Sequence, residues 1–106
     1  MKWAQIQREL LSWKRKYPRQ KLIITEIGYP SIDGTCMYPW NYFLEGGVDV
    51  KEQALCYRAF IDTWKRSTDL AGVYFWVWWG EGGSKDNSYT PRGKPAMKWL
   101  SKWYQS

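Results

Sequence analysis

The chain has 106 residues, with 16 Lys and Arg against 10 Asp and Glu, a formal net charge of +6, and no histidine. That length allows one small core and is too short for a large closed barrel, which needs about 250 residues. Without histidine, Ser-His-Asp and Cys-His catalysis are excluded and a zinc site is not expected, so acid/base work falls to carboxylates or tyrosines.

Nine Trp and eight Tyr are more aromatic surface than a core of this size needs, and some of the rings are expected to meet a ligand. The basic residues are spread over "KRKYPRQK", "WKRS", "TPRGK" and "MKWLSK". That spread reads as solvated helix faces and not as a nucleic-acid surface, although basic residues interleaved with aromatics also suit single strands. Cys36 and Cys56 match no metal or redox spacing; two free thiols are expected, with one disulfide as the alternative. No apolar run approaches the length of a membrane span, and the N-terminus reads as an amphipathic helix, not a signal peptide. Neither a membrane nor a nucleic-acid partner is expected, and no cofactor or metal; localisation is not readable.

In chain order, Trp3, Ile6, Leu10, Trp13 and Tyr17 recur at three- and four-residue steps and predict a helix with one buried face, ending before Pro18. "KLIITEI" follows, apolar and β-branched, and reads as a strand covered on both sides, with the next strand parallel to it. Residues 31–47 carry Gly34, Pro39 and Gly46-Gly47 without a sustained period and predict a long loop, a kind usually functional or disordered. Val50, Ala54, Tyr57, Ile61 and Trp64 predict a second helix ending near Ser67, with Asp49 as its N-cap. "VYFWVWW" predicts a second strand, closed by Gly80, Gly82 and Gly83, and a last helix starts near Pro95 with Ala96, Trp99, Leu100 and Trp103 inward. Long loops follow the strands and short connections precede them, the asymmetry of βα-barrels; a doubly wound sheet is the alternative, though no glycine-rich phosphate fingerprint follows either strand.

Strand alternation places Leu22, Ile24 and Glu26 on one face, and Tyr74, Trp76 and Trp78 on one face of the second strand. If both faces point into a barrel, Glu26 stands at a carboxyl end beside two tryptophans. Sugars present C–H faces that stack on aromatic rings, while charge developing at the anomeric carbon needs a carboxylate, so this pairing suits glycoside hydrolysis. Gly28 leaves room where the chain bends off the strand, and Pro30 fixes the turn. Glu45, Glu81, Asp33 and Asp86 read as solvated or turn-forming acids. Tyr38, Trp40, Tyr42 and Phe43 either extend a sugar cleft or pin the long loop.

"KLIITEIGYPS", "LAGVYFWVWW" and "SYTPRGKPAMKWLSKWY", in that order, resemble the C-terminal end of retaining (β/α)8 glycoside hydrolases with catalytic glutamates on strands four and seven. Within that clan they look closest to glycoside hydrolase family 113, whose known members are β-mannanases. The resemblance implies an α/β fold, a partial TIM barrel with parallel strands comprising helix 6, strand 7, helix 7, strand 8 and helix 8. Residues 1–106 would form a single partial domain, the C-terminal quarter of the barrel. It implies that Glu26 is the nucleophile and that Trp76 lines the subsite of bond cleavage. Trp78 is added as a second substrate-binding ring from alternation alone, and Tyr89 and Arg92 are expected to pack their loop. Everything before helix 6, including the acid/base glutamate, has no counterpart, so the chain is expected to be inactive alone. Its partners would be an oligosaccharide or polysaccharide and either the missing N-terminal barrel portion or itself. A different class of function, a non-catalytic carbohydrate-binding domain with Trp stacking platforms, is the alternative; single-strand nucleic-acid binding ranks last.

Overall fold

The computed structural model describes residues 3–105; Met1 and Lys2, at the start of the expected N-terminal helix, and Ser106 lie outside the described residues. The elements follow the order α1 (Trp3–Lys16), β1 (Leu22–Ile27), α2 (Val50–Trp64), β2 (Leu70–Phe75) and α3 (Ala96–Gln105). The two strands pair in parallel, as the unbroken apolar character of the first predicts.

Helix α2 is the centre of the core. The Asp49 side chain accepts a hydrogen bond from the Glu52 backbone N–H at 2.9 Å, the capping arrangement that stabilises a helix start by about 1 kcal/mol. Tyr57, Phe60, Ile61 and Trp64 recur at three- and four-residue steps and are all buried. They meet Leu22 and Ile27 of β1, Phe75 of β2 and Leu100 of α3 in one cluster. Phe60 alone stands within 6 Å of the rings of Trp3, Phe75 and Trp103.

Helix α1 is attached more loosely than its apolar stripe predicts. Trp3, Leu10 and Leu11 pack against the core and the Gln7 amide donates to the Thr63 carbonyl, but no residue of the helix is buried, and Ile6, Trp13 and Tyr17 are exposed. Nor is β1 covered on both sides among the described residues, because Ile23 and Thr25 face outward, exposed. The second strand is Leu70–Phe75 rather than the predicted run from Val73 to Trp79. Apolar content marks where rings fall, but a strand needs a partner: Leu70 pairs with Leu22, and β1 has ended by the time the chain reaches Trp76.

The thiols are not free. Cys36 and Cys56 form a disulfide, their Cα atoms 5.7 Å apart, which ties the long loop after β1 to the middle of α2. The expectation of two thiols failed because the pairing is created by the loop folding back on the helix, which spacing does not encode. The loop base is further fixed by an antiparallel bridge between Ile32 and Val48, and by Thr35 N–H donating to the Glu52 carboxylate at 2.9 Å.

Candidate active site

Glu26 reaches its position through a change of phase in β1. From Ile24 to Ile27 the first strand takes three steps while its partner takes two, from Val73 to Phe75. One residue more on β1 is a bulge, which re-aims the side chains that follow it. Leu22, Ile24 and Ile27 therefore contribute to the core, and Glu26 joins Ile23 and Thr25 on the exposed side. The expected sharing of one face by Leu22, Ile24 and Glu26 is thus corrected. Strict alternation would have sent the carboxylate toward the helices, where an unpaired charge is costly.

Beyond Glu26 the two strands almost touch. The Trp76 backbone N–H donates to the Ile27 carbonyl at 2.7 Å, and a Cβ added to Gly28 would lie 1.9 Å from the Trp76 carbonyl oxygen. Only glycine permits that approach. It sets the strand end that carries Glu26 directly beside Trp76, and both line a cleft of about 460 Å³. Volumes of about 300–1,000 Å³ are usual for small-molecule sites. Pro39, Trp40, Tyr42 and Tyr89 close one part of the cleft, and Trp3, Ile6 and Tyr29 another. Among the described residues, Glu26 is the only carboxylate lining it.

Two of the three phenols at the cleft, Tyr29 and Tyr89, are fixed and neutral. Burial pushes Tyr29 up to about 12, partly offset by the hydrogen bond that its oxygen accepts from the Trp3 indole N–H at 3.2 Å. Tyr89 is raised by burial first, then by the charges of Tyr42 and Glu26, and its hydroxyl donates to the Pro39 carbonyl. Tyr89 therefore belongs to the cleft wall, beyond the loop packing expected of it. Its backbone is held by the buried Gln53 amide, which donates to the carbonyls of Tyr29 and Tyr89 at 2.9 and 3.3 Å. Gln53 lies on the inner face of α2, so a core residue aligns the strand end with the loop opposite.

The loop that delivers Tyr89 is pinned by a buried ion pair. Lys94 Nζ lies 2.7 Å from the Asp86 carboxylate and donates to the Ser88 carbonyl at 3.0 Å. Ser88 Oγ donates to the same carboxylate, and Ser31 Oγ donates to the Asp86 carbonyl. Burial raises Asp86, but the bonds from Lys94 and Ser88 outweigh it and hold the carboxyl below its ordinary range. Asp86 is thus a structural acid. The sequence signal for it was weak, because a lysine eight residues from an aspartate has no helical or strand register.

Trp78 lies elsewhere. With Tyr74 it lines a second concavity, about 650 Å³, between β2 and α3, where Met97, Leu100 and Tyr104 face it. Arg92 stands 5.5 Å from the Trp78 ring centre and donates to the Gly80 carbonyl at 2.8 Å, the loop-packing role its segment suggested. Glu45 and Glu81 line neither concavity. Asp33 sits beside the Asp49 cap, its carboxyl raised chiefly by their hydrogen bond. Among the described residues no group of three or more His, Cys, Asp or Glu side chains could hold a metal ion, and no helix is long and apolar enough to cross a membrane.

Solved structures similar in fold include the following three. A GH113 β-1,4-mannanase matches with a TM-score of 0.88 at 26% identity, over 99% of this chain and 35% of its own. A complex structure of a GH113 β-1,4-mannanase gives 0.80 at 25% identity, over 94% of this chain and 35% of its own. The GH113 β-mannanase AaManA from Alicyclobacillus acidocaldarius, in complex with ManMIm, gives 0.78 at 28% identity, over 92% of this chain and 33% of its own. The chain therefore spans about a third of the length of these enzymes. No curated protein sequence matches it. The family model for Glycoside Hydrolase Family 113 matches residues 1–94, and with parallel strands in a mixed α/β fold similar to the barrels of that family, the chain belongs to glycoside hydrolase family 113.

Proposed function

We propose that this chain carries the nucleophile-bearing part of a retaining hydrolase acting on a β-linked polysaccharide such as mannan, with Glu26 as nucleophile and Trp76 as the ring beside the scissile sugar. In barrel terms its elements correspond to helix 6, strand 7, helix 7, strand 8 and helix 8. The observation that carries the reading is the placement of Glu26, turned out of the core by the bulge and lining an aromatic cleft together with Trp76.

In retaining hydrolysis the nucleophile carboxylate attacks the anomeric carbon as the C–O bond to the leaving group breaks, and an acid gives that oxygen its proton. Water, deprotonated by the same residue acting as base, then displaces the carboxylate. The two carboxyl groups stand about 5–5.5 Å apart. With Glu26 the only carboxylate in its cleft among the described residues, the chain supplies attack without protonation, so it is expected to be inactive on natural glycosides until a second segment provides the acid. Trp78, in the other concavity beneath Arg92, receives no substrate role in this reading. The same solitary carboxylate supports the second reading, a carbohydrate-binding domain without catalysis.

An activated fluorosugar separates them, because dinitrophenolate departs without a proton. Incubation with 2,4-dinitrophenyl 2-deoxy-2-fluoro-β-mannoside should release phenolate in a single burst and leave the sugar on the Glu26 peptide, read by mass spectrometry. Glu26→Gln should release none. Labelling at another residue, or equal release by Glu26→Gln, would remove the nucleophile assignment; saccharide binding without any label would favour the binding domain.

A further inference from the structure

The cleft holds more aromatic surface than one sugar ring against Trp76 can use, and its far wall comes from the loop after β1. Of the four aromatics in that loop, Trp40 and Tyr42 line the cleft, whereas Tyr38 and Phe43 do not. Trp40 and Tyr42 are nevertheless 70% and 68% exposed, so neither is spent on the core. A ring pinning the loop would be covered by it.

These exposed rings are held. Tyr42 rests against the Tyr89 ring with centres 5.6 Å apart, and the Tyr89 hydroxyl donates to the carbonyl of Pro39, next to Trp40. Trp40 meets Tyr38 edge to face at 6.2 Å. The Asn41 side chain accepts the Phe43 N–H at 2.9 Å, and the disulfide anchors the loop base to α2. Prior fixing of the rings removes most of the ordering cost that a flexible loop would pay on binding.

We propose that Trp40 and Tyr42, backed by Tyr89, form a second saccharide platform, binding a sugar unit further along the same chain than the unit at Glu26 and Trp76. The inference rests on the carbohydrate reading above and adds to it a length preference: the ligand is an oligosaccharide extended across the loop 31–47 wall. Flat, exposed, polar-tipped rings suit the C–H faces and hydroxyls of a pyranose, and the absence of a charged side chain from this wall suits a neutral polymer.

The test is titration of the 106-residue chain with mannobiose, mannotriose and mannotetraose, followed by calorimetry. Affinity should rise about tenfold between mannobiose and mannotetraose, the scale of one added stacking contact. In Trp40→Ala and Tyr42→Ala that increment should disappear, and Trp40→Phe should restore part of it. Because both side chains are mostly exposed, thermal midpoints should stay near wild type. Equal affinity for all three sugars in wild type, or an increment that survives both substitutions, overturns the second platform; if Glu26 is still labelled by the fluorosugar, the nucleophile reading stands without it. No binding of any length together with no labelling overturns both.

Discussion

The two concavities of this chain are built from similar side chains and differ in what fixes them. The larger one, about 650 Å³, lies between β2 and α3, is lined by no charged residue among the described residues, and has exposed walls such as Tyr74 and Tyr104. The smaller, about 460 Å³, holds one carboxylate, and its walls are tied by a backbone contact at Gly28, the Gln53 amide and the Tyr89 hydroxyl. Volume measures where helices and strands fail to cover each other. One carboxylate in a cleft whose walls are tied to the backbone is the contrast on which the proposed function rests.

The comparison can be broken most severely at Gly28. Gly28→Val should part the ends of β1 and β2, costing about 4 kcal/mol in urea unfolding and eliminating saccharide binding, because backbone cannot yield as a side chain tip can. An unchanged urea midpoint would mean that the strand ends separate freely.

Lys94→Met comes next, since the Asp86 loop gives Tyr89 to one concavity and Pro91 to the other. Loss of one partner of a buried pair should cost about 3 kcal/mol, and Asp86→Asn should recover part of it when combined with Lys94→Met. The pH dependence has a definite sign. The folded carboxyl of Asp86 lies below its unfolded value of 3.8, so its contribution is complete above that value and is lost as pH falls through the lowered one. Acid unfolding followed by circular dichroism should therefore be steeper below pH 3.8 in wild type than in Asp86→Asn.

Trp76→Ala should weaken mannobiose binding about tenfold by calorimetry, removing the ring beside Glu26 while leaving the larger groove intact. Least disruptive is Tyr74→Lys. Its side chain is exposed in the larger groove, so the change should alter unfolding free energy by no more than about 0.5 kcal/mol. It should leave sugar binding untouched and reduce any self-association seen by size-exclusion chromatography, because a charge there opposes burial of the groove. Weakened sugar binding in Tyr74→Lys would assign saccharide to the larger concavity and reverse the comparison.

Sequence made some of this visible and hid the rest for identifiable reasons. The capping by Asp49, the stripe of α2 and the parallel pairing are read from residue type, periodicity and an unbroken apolar run, all local signals, and each is found. Glu26 was singled out correctly as a strand-end carboxylate, but by an alternation that the bulge breaks; the extra residue has no signature in "IITEI" and exists only against β2. The same alternation put Trp78 beside Glu26, whereas β2 ends at Phe75 and the rings beyond diverge into separate concavities. Tyr89, Gln53 and the disulfide belong to the site through contacts 20 to 50 residues apart in the chain. Such contacts are set by how loops return to the core, and no window along one sequence contains them.

The contact between Gly28 and the Trp76 carbonyl has a consequence for how such a cleft can change over evolutionary time. Main chain sets the separation between the strand end bearing Glu26 and the one bearing Trp76, so no exchange of wall side chains alters it. The loop wall, joined to α2 through Cys56 and to Tyr89 through one hydroxyl, is a separate module whose rings can be replaced one at a time. Under the proposed function, drift in ligand preference would be decoupled from the reacting geometry, and a new polymer could be tried without rebuilding the pair proposed to act on it.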